Sequence, residues 1–283
     1  MKNVFVALAD KNYLQHYKSL LFGAITVGKW DGDFVLIMPE SDKGEFDEKE
    51  FTDKGVKFFY GESLPGNPRP HYYKYYMWTE YFKKWDWIFY CDLDVIFFNE
   101  IDLDLNNRKK DVMYANDSNY TPLCYQFEYR EPQLEKFNKK QLKKYDWMRE
   151  NWMSVPSFQT CFMLFHSDMV SEVIFEELIE LHNEYYIDLD LVIHDLLEEQ
   201  AIINVKFIEK WEELGNRWLN VYERANELEW EYEEIIKPYY DENEYKEDGV
   251  IVQHFYQFFQ PWSMHNIRFY NTYRENLKGF DEL

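Results

Sequence analysis

The stretch that decides the fold is WIFYCDLDVIFF, residues 87–98. Its five apolar or aromatic residues before Asp92 predict a strand buried on both faces, as in a parallel sheet covered by helices. Asp92 and Asp94 follow directly, at the carboxyl edge where open α/β sheets bind their ligands. The segment therefore predicts an α/β fold with an acidic site at the edge of its sheet.

Strand and helix patterns alternate along the rest of the chain, which indicates a mostly parallel central sheet flanked by helices. Strands are predicted at KNVFVALA (from residue 2), DFVLIMP (33), VKFFY (56), DVMYAND (111), FQTCFMLF (158) and VIVQHF (250). Helices are predicted at 13–24, 71–82, 167–186, 198–204 and 225–237. Ser167 is the expected N-cap of the third helix. The polar stretch between residues 117 and 157 is interpreted as an insertion over the site, and its segment KKQLKKYDWMRENW (139–152) resembles an exposed helix.

Size and charge exclude several classes of protein. The 283 residues suit one large domain with a C-terminal extension, and a net charge of -22 argues against nucleic acid or anionic lipid as a partner. The apolar runs are far shorter than a transmembrane helix, and no signal peptide is evident. Cys91, Cys124 and Cys161 are odd in number and widely spaced, so we expect reduced thiols and a cytoplasmic protein.

The acidic pair at Asp92 is the strongest chemical signal. Other Asp-x-Asp pairs begin at Asp31, Asp102 and Asp188, but none of these follows an apolar run. Two carboxylates between apolar segments cost several kcal/mol unless they are paired or bind a metal, so we expect a divalent cation here. A structural ion pair is the alternative. His254, near the end of another apolar strand, could add a nitrogen ligand that suits Mn²⁺ as well as Mg²⁺.

Five segments, in order, carry a resemblance to glycosyltransferases of the A fold (GT-A), and specifically to family 8, the glycogenin and lipooligosaccharide galactosyltransferase relatives. They are ADKNY (9–13), WIFYCDLDVIF (87–97), SFQTCFMLF (157–165), EEQAIIN (198–204) and HFYQFFQPW (254–262). The resemblance implies transfer of a sugar from a nucleotide-diphosphate sugar, with a UDP-sugar as the expected donor, to a glycan or other hydroxyl acceptor. It also implies retention of configuration. Residues 1–116 would form the nucleotide-binding half and 158–283 the acceptor-binding half.

The resemblance also implies roles for particular residues. Asp10, Asn12 and Tyr13 would bind the nucleoside. The metal would be held by Asp92, Asp94 and His254, and Lys74 would contact the sugar or phosphate. Glu199 and Gln200 would lie at the donor sugar, beside its anomeric carbon. Four of these residues also have a simpler interpretation. Tyr13 could be a core residue, and Lys74, Glu199 and Gln200 could lie on helix surfaces.

Four positions depart from the family pattern. Gln260 replaces the lysine that neutralises the donor phosphate, and Gln257 replaces a glycine. Gln159 stands at the place of a sugar-binding asparagine, and Cys161 at that of a glycine. These departures leave two other functions open: a catalytically inactive carbohydrate-binding protein with the same fold, and a sugar nucleotidyltransferase. The second lacks support, because ADKNYLQHY contains no glycine for a phosphate loop.

Overall fold

The computed structural model describes most of the chain. The described ranges are 2–66, 70–117, 123–127, 155–190, 198–215, 217–220, 250–254, 260–262 and 267–283, with positions 139, 143, 146, 147, 150 and 151. Among these residues no helix has both the length and the apolar character needed to cross a membrane.

Every strand expected from an apolar run is found among the described residues, and three further short strands, at 95–97, 211–213 and 218–220, were not expected. The described strands are β1 (Asn3–Leu8), β2 (Asp33–Pro39), β3 (Val56–Gly61), β4 (Trp87–Cys91), β5 (Val95–Phe97), β6 (Met113–Asp117), β7 (Phe158–His166), β8 (Trp211–Glu213), β9 (Trp218–Asn220) and β10 (Val252–His254). The helices are α1 (Leu14–Thr26), α2 (Lys49–Thr52), α3 (Glu172–His182), α4 (Glu198–Lys206) and α5 (Ile267–Phe280).

Seven strands form the large sheet in the order β3-β2-β1-β4-β7-β6-β8. The β3-β2-β1-β4 half is parallel throughout, and β8 is parallel to β6. The strand β7 runs antiparallel to both of its neighbours, so the sheet is mixed rather than purely parallel. Apolar clusters cover both faces, which accounts for the unbroken apolar character of β1, β2 and β4.

A second sheet of three strands, in the order β5-β10-β9, creates the junction that positions the site. The chain leaves the large sheet after Cys91 and enters the small sheet at Val95, so Asp92 and Asp94 lie between the two. Because β10 pairs antiparallel with β5, His254 stands opposite Val95. Residues far apart in sequence are thereby brought to one edge.

Two local predictions are wrong. The helix expected at 71–82 is replaced by 3₁₀ turns at Pro70–Trp78 and Glu80–Lys84. All seven side chains from Tyr72 to Trp78 are buried, so the segment lacks the exposed face of an amphipathic helix. The N-cap of α3 is Ser171, whose Oγ accepts a hydrogen bond from Ile174 N at 3.2 Å, and Ser167 instead begins a 3₁₀ turn.

Other expected elements are found. The helical spacing after β1 corresponds to α1, and the short helical segment at 198–204 to α4. The described positions between 139 and 151 are helical, as predicted for the insertion. The helix expected at 225–237 lies outside the described residues. Cys91 and Cys161 are buried and form no disulfide bond, as expected.

Candidate metal and sugar-nucleotide site

Two carboxylates and one imidazole converge at the junction of the two sheets. His254 Nε2 lies 3.1 Å from Asp94 Oδ1 and 3.9 Å from Asp92 Oδ2. One ligand atom from each of the three residues lies within 4.8 Å of the others. The side chains of Asp92 and Asp94 are 25% and 17% exposed, whereas that of His254 is 7% exposed. The group is thus open on its acidic side, and its donor set suits a divalent cation.

The charge at this cluster acts on the imidazole. Burial disfavours the protonated ring, but Asp94, together with Cys161, outweighs burial and raises the pKa of His254 well above its usual value. The negative charge that raises this pKa also favours the binding of other cations. A divalent ion would compensate the two carboxylates in the same way.

Asp92 uses its two oxygens differently. Its Oδ1 accepts hydrogen bonds from the hydroxyl of Tyr90 and, at 3.2 Å, from the ammonium of Lys74, while Oδ2 faces His254. Burial and the neighbouring carboxylate raise the pKa of Tyr90 well above its usual value, so the hydroxyl remains protonated and donates. Asp92 is therefore anchored through one oxygen and presents the other to the cluster.

Lys74 links the acidic pair to helix α4. Its Nζ lies 2.7 Å from Glu199 Oε1 and 3.3 Å from Thr160 Oγ1, and its side chain is only 3% exposed. Although burial opposes its charge, Asp92 and Glu199 raise the pKa of Lys74. Burial likewise opposes ionisation of Glu199, but Lys74 lowers its pKa to about 2. Lys74 and Glu199 are therefore a buried ion pair, and the alternative of solvated helix surface is excluded for both.

Gln200 offers an unused hydrogen-bond donor. Its Oε1 accepts from Thr160 N at 3.2 Å, but its buried Nε2 has no hydrogen-bond partner among the described residues. The residue is 8% exposed and adjoins the Lys74–Glu199 pair. A buried amide donor without a partner costs about 1–3 kcal/mol, which a bound ligand could offset.

The loop after β1 forms the other end of the site. Asp10 Oδ1 accepts hydrogen bonds from Asn12 N at 2.7 Å and Tyr13 N at 3.2 Å, which fixes the entry into α1. Tyr13 is 46% exposed, so it is not a core residue. Its ring centroid lies 6.5 Å from that of Trp262, and Gln260 is half-buried two residues before this tryptophan.

His16 completes this aromatic group. Its ring stacks on Trp262 with centroids 3.8 Å apart, and its Nδ1 lies 2.8 Å from the hydroxyl of Tyr273 on α5. Burial lowers the pKa of His16 to about 4, although Asp94 acts in the opposite direction. The ring is therefore neutral at pH 7, and it lies within electrostatic reach of the acidic pair.

The structure brings most of the predicted site residues together, with Gln159 half-buried on β7 opposite Asn116. Sequence reasoning missed Tyr90, Thr160, His16 and Tyr273. His16 follows Tyr13 by three residues and so shares its helix face, which is a signal that could have been used. Thr160 carries no such signal, because it is one residue within a buried strand. Gln257 lies outside the described residues.

This mixed, mostly parallel sheet flanked by helices is the GT-A fold, which similar solved glycosyltransferase structures share. The chain is similar to the WbbM bifunctional glycosyltransferase, with a TM-score of 0.62 and 14% identity over 98% of this chain and 49% of that one. It is also similar to the galactosyltransferase LgtC in complex with donor and acceptor sugar analogs, with a TM-score of 0.59 and 14% identity over 98% and 95%.

A third similar structure is the glycosyltransferase GlyE of Streptococcus pneumoniae TIGR4, with a TM-score of 0.55 and 14% identity over 100% of this chain and 63% of that one. The chain thus spans about half of the length of WbbM and nearly all of LgtC. No protein-family model and no curated protein matches the sequence itself. At this identity the shared property is the fold.

Proposed function

We propose that the chain is a metal-dependent glycosyltransferase that transfers a sugar from a UDP-sugar to a hydroxyl group of a glycan or glycoconjugate, with retention of configuration. The observation that carries the proposal is the convergence of Asp92, Asp94 and His254 at the sheet junction of a GT-A fold. The reduced, buried Cys91 and Cys161 are consistent with action in the cytoplasm.

Asp92, Asp94 and His254 would hold the cation, Mn²⁺ or Mg²⁺. Two carboxylates and one imidazole leave coordination positions open, and the partial exposure of the carboxylates gives the diphosphate oxygens access. A bound ion supplies Lewis-acid stabilisation of the diphosphate leaving group. Tyr90 and Lys74 orient Asp92 by binding its other oxygen.

Gln200 and the Lys74–Glu199 pair would bind the donor sugar. The Nε2 of Gln200, which has no partner within the part of the chain that the structure describes, can donate to a sugar oxygen beside the anomeric carbon. Lys74 fixes the carboxylate of Glu199, whose remaining oxygen can accept from a sugar hydroxyl. Gln159 on β7 would be a further sugar contact.

The state of Glu199 favours retention over inversion. An inverting mechanism needs a base that takes the proton of the acceptor hydroxyl. With a pKa of about 2, held down by Lys74 against the effect of burial, Glu199 is a weak proton acceptor. Its role is therefore to position the sugar rather than to activate the acceptor.

Asp10, Asn12 and Tyr13 would bind the nucleoside, with Tyr13 offering an exposed ring for the base. Gln260, which stands in place of a lysine, can supply a hydrogen bond to the donor phosphate but no charge. Neutralisation of the phosphate would then depend on the metal, because the buried Lys74 already shares its charge between Asp92 and Glu199. The neutral side chain of Gln260 at the donor phosphate is the reason to test an inactive carbohydrate-binding protein as the alternative.

The test is calorimetry with UDP and UDP-sugars, with and without Mn²⁺, followed by an assay of donor hydrolysis. Binding should require Mn²⁺ and should be lost in the double variant Asp92→Asn/Asp94→Asn. The matched control is Asp102→Asn/Asp104→Asn, which alters another Asp-x-Asp pair of the same chain and should leave binding intact. Absence of nucleotide binding in the wild type, or equal binding by both variants, contradicts the proposal. Binding without hydrolysis or transfer to any glycan identifies an inactive binding protein.

A further inference from the structure

Three lysine ammoniums meet at the amino edge of the large sheet, opposite to the edge that carries the candidate metal site. Lys2 precedes β1, Lys57 lies on β3, and Lys84 stands shortly before β4. The Nζ atoms of Lys2 and Lys57 both lie 5.7 Å from the ring centroid of Trp85. That of Lys84 lies 4.6 Å from the same centroid. The length of β4 separates the two edges by roughly 16 Å, so this cluster is distinct from the donor site.

Among the described residues, the carboxylate of Asp33 binds two of these ammoniums. It lies 2.7 Å from Lys57 Nζ and 3.4 Å from Lys2 Nζ. It also accepts a hydrogen bond from Trp85 Nε1 at 2.6 Å. The nearby carboxylate of Asp86 is hydrogen-bonded to the backbone nitrogen of Lys2 rather than to an ammonium. Asp33 therefore compensates at most one of the three positive charges.

Lys84 carries a charge that this carboxylate does not compensate. Its exposed side chain forms no salt bridge with a described residue, and its Nζ lies 3.3 Å from the ring centroid of Tyr81. Partial desolvation over the aromatic rings lowers the pKa of Lys84. The charges of Lys57 and Lys2 lower it further, and Asp33 acts in the opposite direction. Because like charges held this close repel one another, a bound anion would stabilise the arrangement.

The chemistry of the cluster favours a phosphoryl group over a carboxylate. All three cations are lysines, which bind as separate point charges, whereas carboxylates are best matched by the planar fork of arginine. A phosphoryl group carries nearly two negative charges on three strong acceptor oxygens, so each ammonium can contact a different oxygen. An extended polyanion such as nucleic acid would meet the repulsion of the whole chain, whose net charge is -22. A compact dianion avoids most of that repulsion.

We propose that Lys2, Lys57 and Lys84 form a binding site for the phosphoryl group of a small molecule, separate from the donor site. Lys84 contributes the charge that Asp33 does not neutralise. Lys2 and Lys57 bind further oxygens while they keep their contacts with Asp33. This inference does not depend on the proposed function, because none of these residues belongs to the candidate metal and sugar-nucleotide site.

Inorganic phosphate is the probe, and the resonances of [ε-¹³C]lysine in the full chain report on each ammonium. At constant ionic strength, phosphate should shift the Lys84 resonance saturably and should raise its pKa toward that of other lysines. Because each lysine gives its own resonance, phosphate bound at the candidate metal site is not mistaken for binding here. Lys83 is the matched control, since it is the neighbouring residue and its Nζ lies 2.7 Å from Glu80 Oε1. Its resonance should show no saturable shift.

Variants then measure the contribution of each charge, with the Lys2 resonance as the readout. Lys84→Gln and Lys57→Gln should each weaken phosphate binding by about two- to fivefold, the value of one exposed ion pair, whereas Lys83→Gln should leave it unchanged. Both side chains are exposed, so these substitutions leave the core intact. Absence of a saturable shift at Lys84, or an equal loss of affinity in Lys83→Gln, overturns the inference. Tighter binding of a hexaglutamate peptide than of phosphate also overturns it and identifies an acidic peptide as the partner.

Discussion

The ammonium of Lys74 lies 2.7 Å from Glu199 Oε1, and both side chains are almost completely buried. The same ammonium lies 3.2 Å from Asp92 Oδ1, so one cation joins helix α4 to the end of β4. The proposed sugar-binding residues and the proposed metal ligand therefore share a single buried charge. Any change at Lys74 should affect both ends of the site and the stability of the fold.

The first prediction concerns this shared charge. Lys74→Met should destabilise the protein by about 3–5 kcal/mol, because it leaves the buried carboxylate of Glu199 without its cation. Lys74→Met/Glu199→Gln should recover part of that loss, since the buried negative charge is then removed. Urea unfolding of the wild type, both single variants and the double variant measures the coupling between the two residues.

An exposed ion pair provides the control for this cycle. Lys83 Nζ lies 2.7 Å from Glu80 Oε1, but its side chain is 44% exposed. Lys83→Met should change the free energy of unfolding by less than about 1 kcal/mol. If Lys74→Met changes the free energy of unfolding as little as Lys83→Met, or if the double variant is the least stable of the set, the Lys74–Glu199 pair does not contribute the predicted stability.

Local sequence patterns were sufficient to predict the acidic pair and all strands except the short β5, β8 and β9. The apolar run before Asp92 is only five residues long and rich in aromatic residues, which favours a buried strand over a buried helix and places the carboxylates at the edge of the sheet. The antiparallel direction of β7 could not be predicted, because a strand buried on both faces has the same composition in either direction. Ser171 rather than Ser167 caps α3 because the turn between them is 3₁₀, a difference that the hydroxyl residues alone do not encode.

The candidate site was predicted only where residue chemistry was conspicuous. Asp92, Asp94 and His254 are unusual in apolar surroundings, and the structure brings them together. Thr160 looked like an ordinary strand residue, yet its Oγ lies 2.9 Å from Glu199 Oε1. Lys74 was expected to contact the sugar or phosphate, with a solvated helix surface as the alternative, and its burial was not predicted because it depends on partners distant in the chain. Such roles arise from tertiary contacts and leave no local pattern.

The second prediction concerns the contact between α5 and α1. Tyr273 OH lies 2.8 Å from His16 Nδ1 and 3.2 Å from Gln15 Nε2, and His16 in turn stacks on Trp262. Tyr273→Phe should loosen this stack and weaken UDP binding by about two- to tenfold, the value of one hydrogen bond. Calorimetry at saturating Mn²⁺ measures the change. Tyr270→Phe, one helical turn away, should have no effect, and equal effects of both variants would show that the hydroxyl of Tyr273 is not the cause.

The third prediction concerns acid stability. Burial lowers the pKa of His182 despite a hydrogen bond to Pro65 O at 3.1 Å, and burial lowers that of His16 to about 4. Below about pH 6.5 the unfolded chain therefore binds protons that the folded chain does not. The stability that His16 and His182 contribute should be fully present above that pH and should fall steadily as the pH approaches about 4, whereas the raised pKa of His254 makes a contribution of opposite sign that is lost only as the pH rises. Urea unfolding across this window measures the effect of His182→Gln, which keeps an amide donor for Pro65. The free energy of unfolding should depend less steeply on pH in this variant than in the wild type. An unchanged pH dependence would contradict a lowered pKa of His182.

The fourth prediction separates binding from stability with two buried amides on α4. Asn204 is structural, because its Oδ1 accepts from Phe158 N and its Nδ2 donates to the carbonyl oxygens of Phe158 and Gln200, all at 2.8–2.9 Å. Within the described ranges, Gln200 forms a side-chain hydrogen bond through its oxygen, and its Nε2 has no partner. Asn204→Ala should therefore cost roughly 2–4 kcal/mol of stability, at about 1 kcal/mol for each hydrogen bond, together with the exposed backbone groups.

Gln200→Ala should show the opposite combination. Removal of an unpartnered buried donor offsets the loss of the hydrogen bond from Thr160, so the free energy of unfolding should change by less than about 1.5 kcal/mol. Loss of a donor directed at the reacting sugar should lower kcat by roughly 10²-fold, the effect of removing one preorganised hydrogen-bond donor, with a smaller change in KM. Thermal unfolding and donor hydrolysis, measured on both variants, distinguish a role of Gln200 in the reaction from a role in packing. If Gln200→Ala is the less stable of the two while retaining full activity, Gln200 is a packing residue and the proposed sugar site must lie elsewhere.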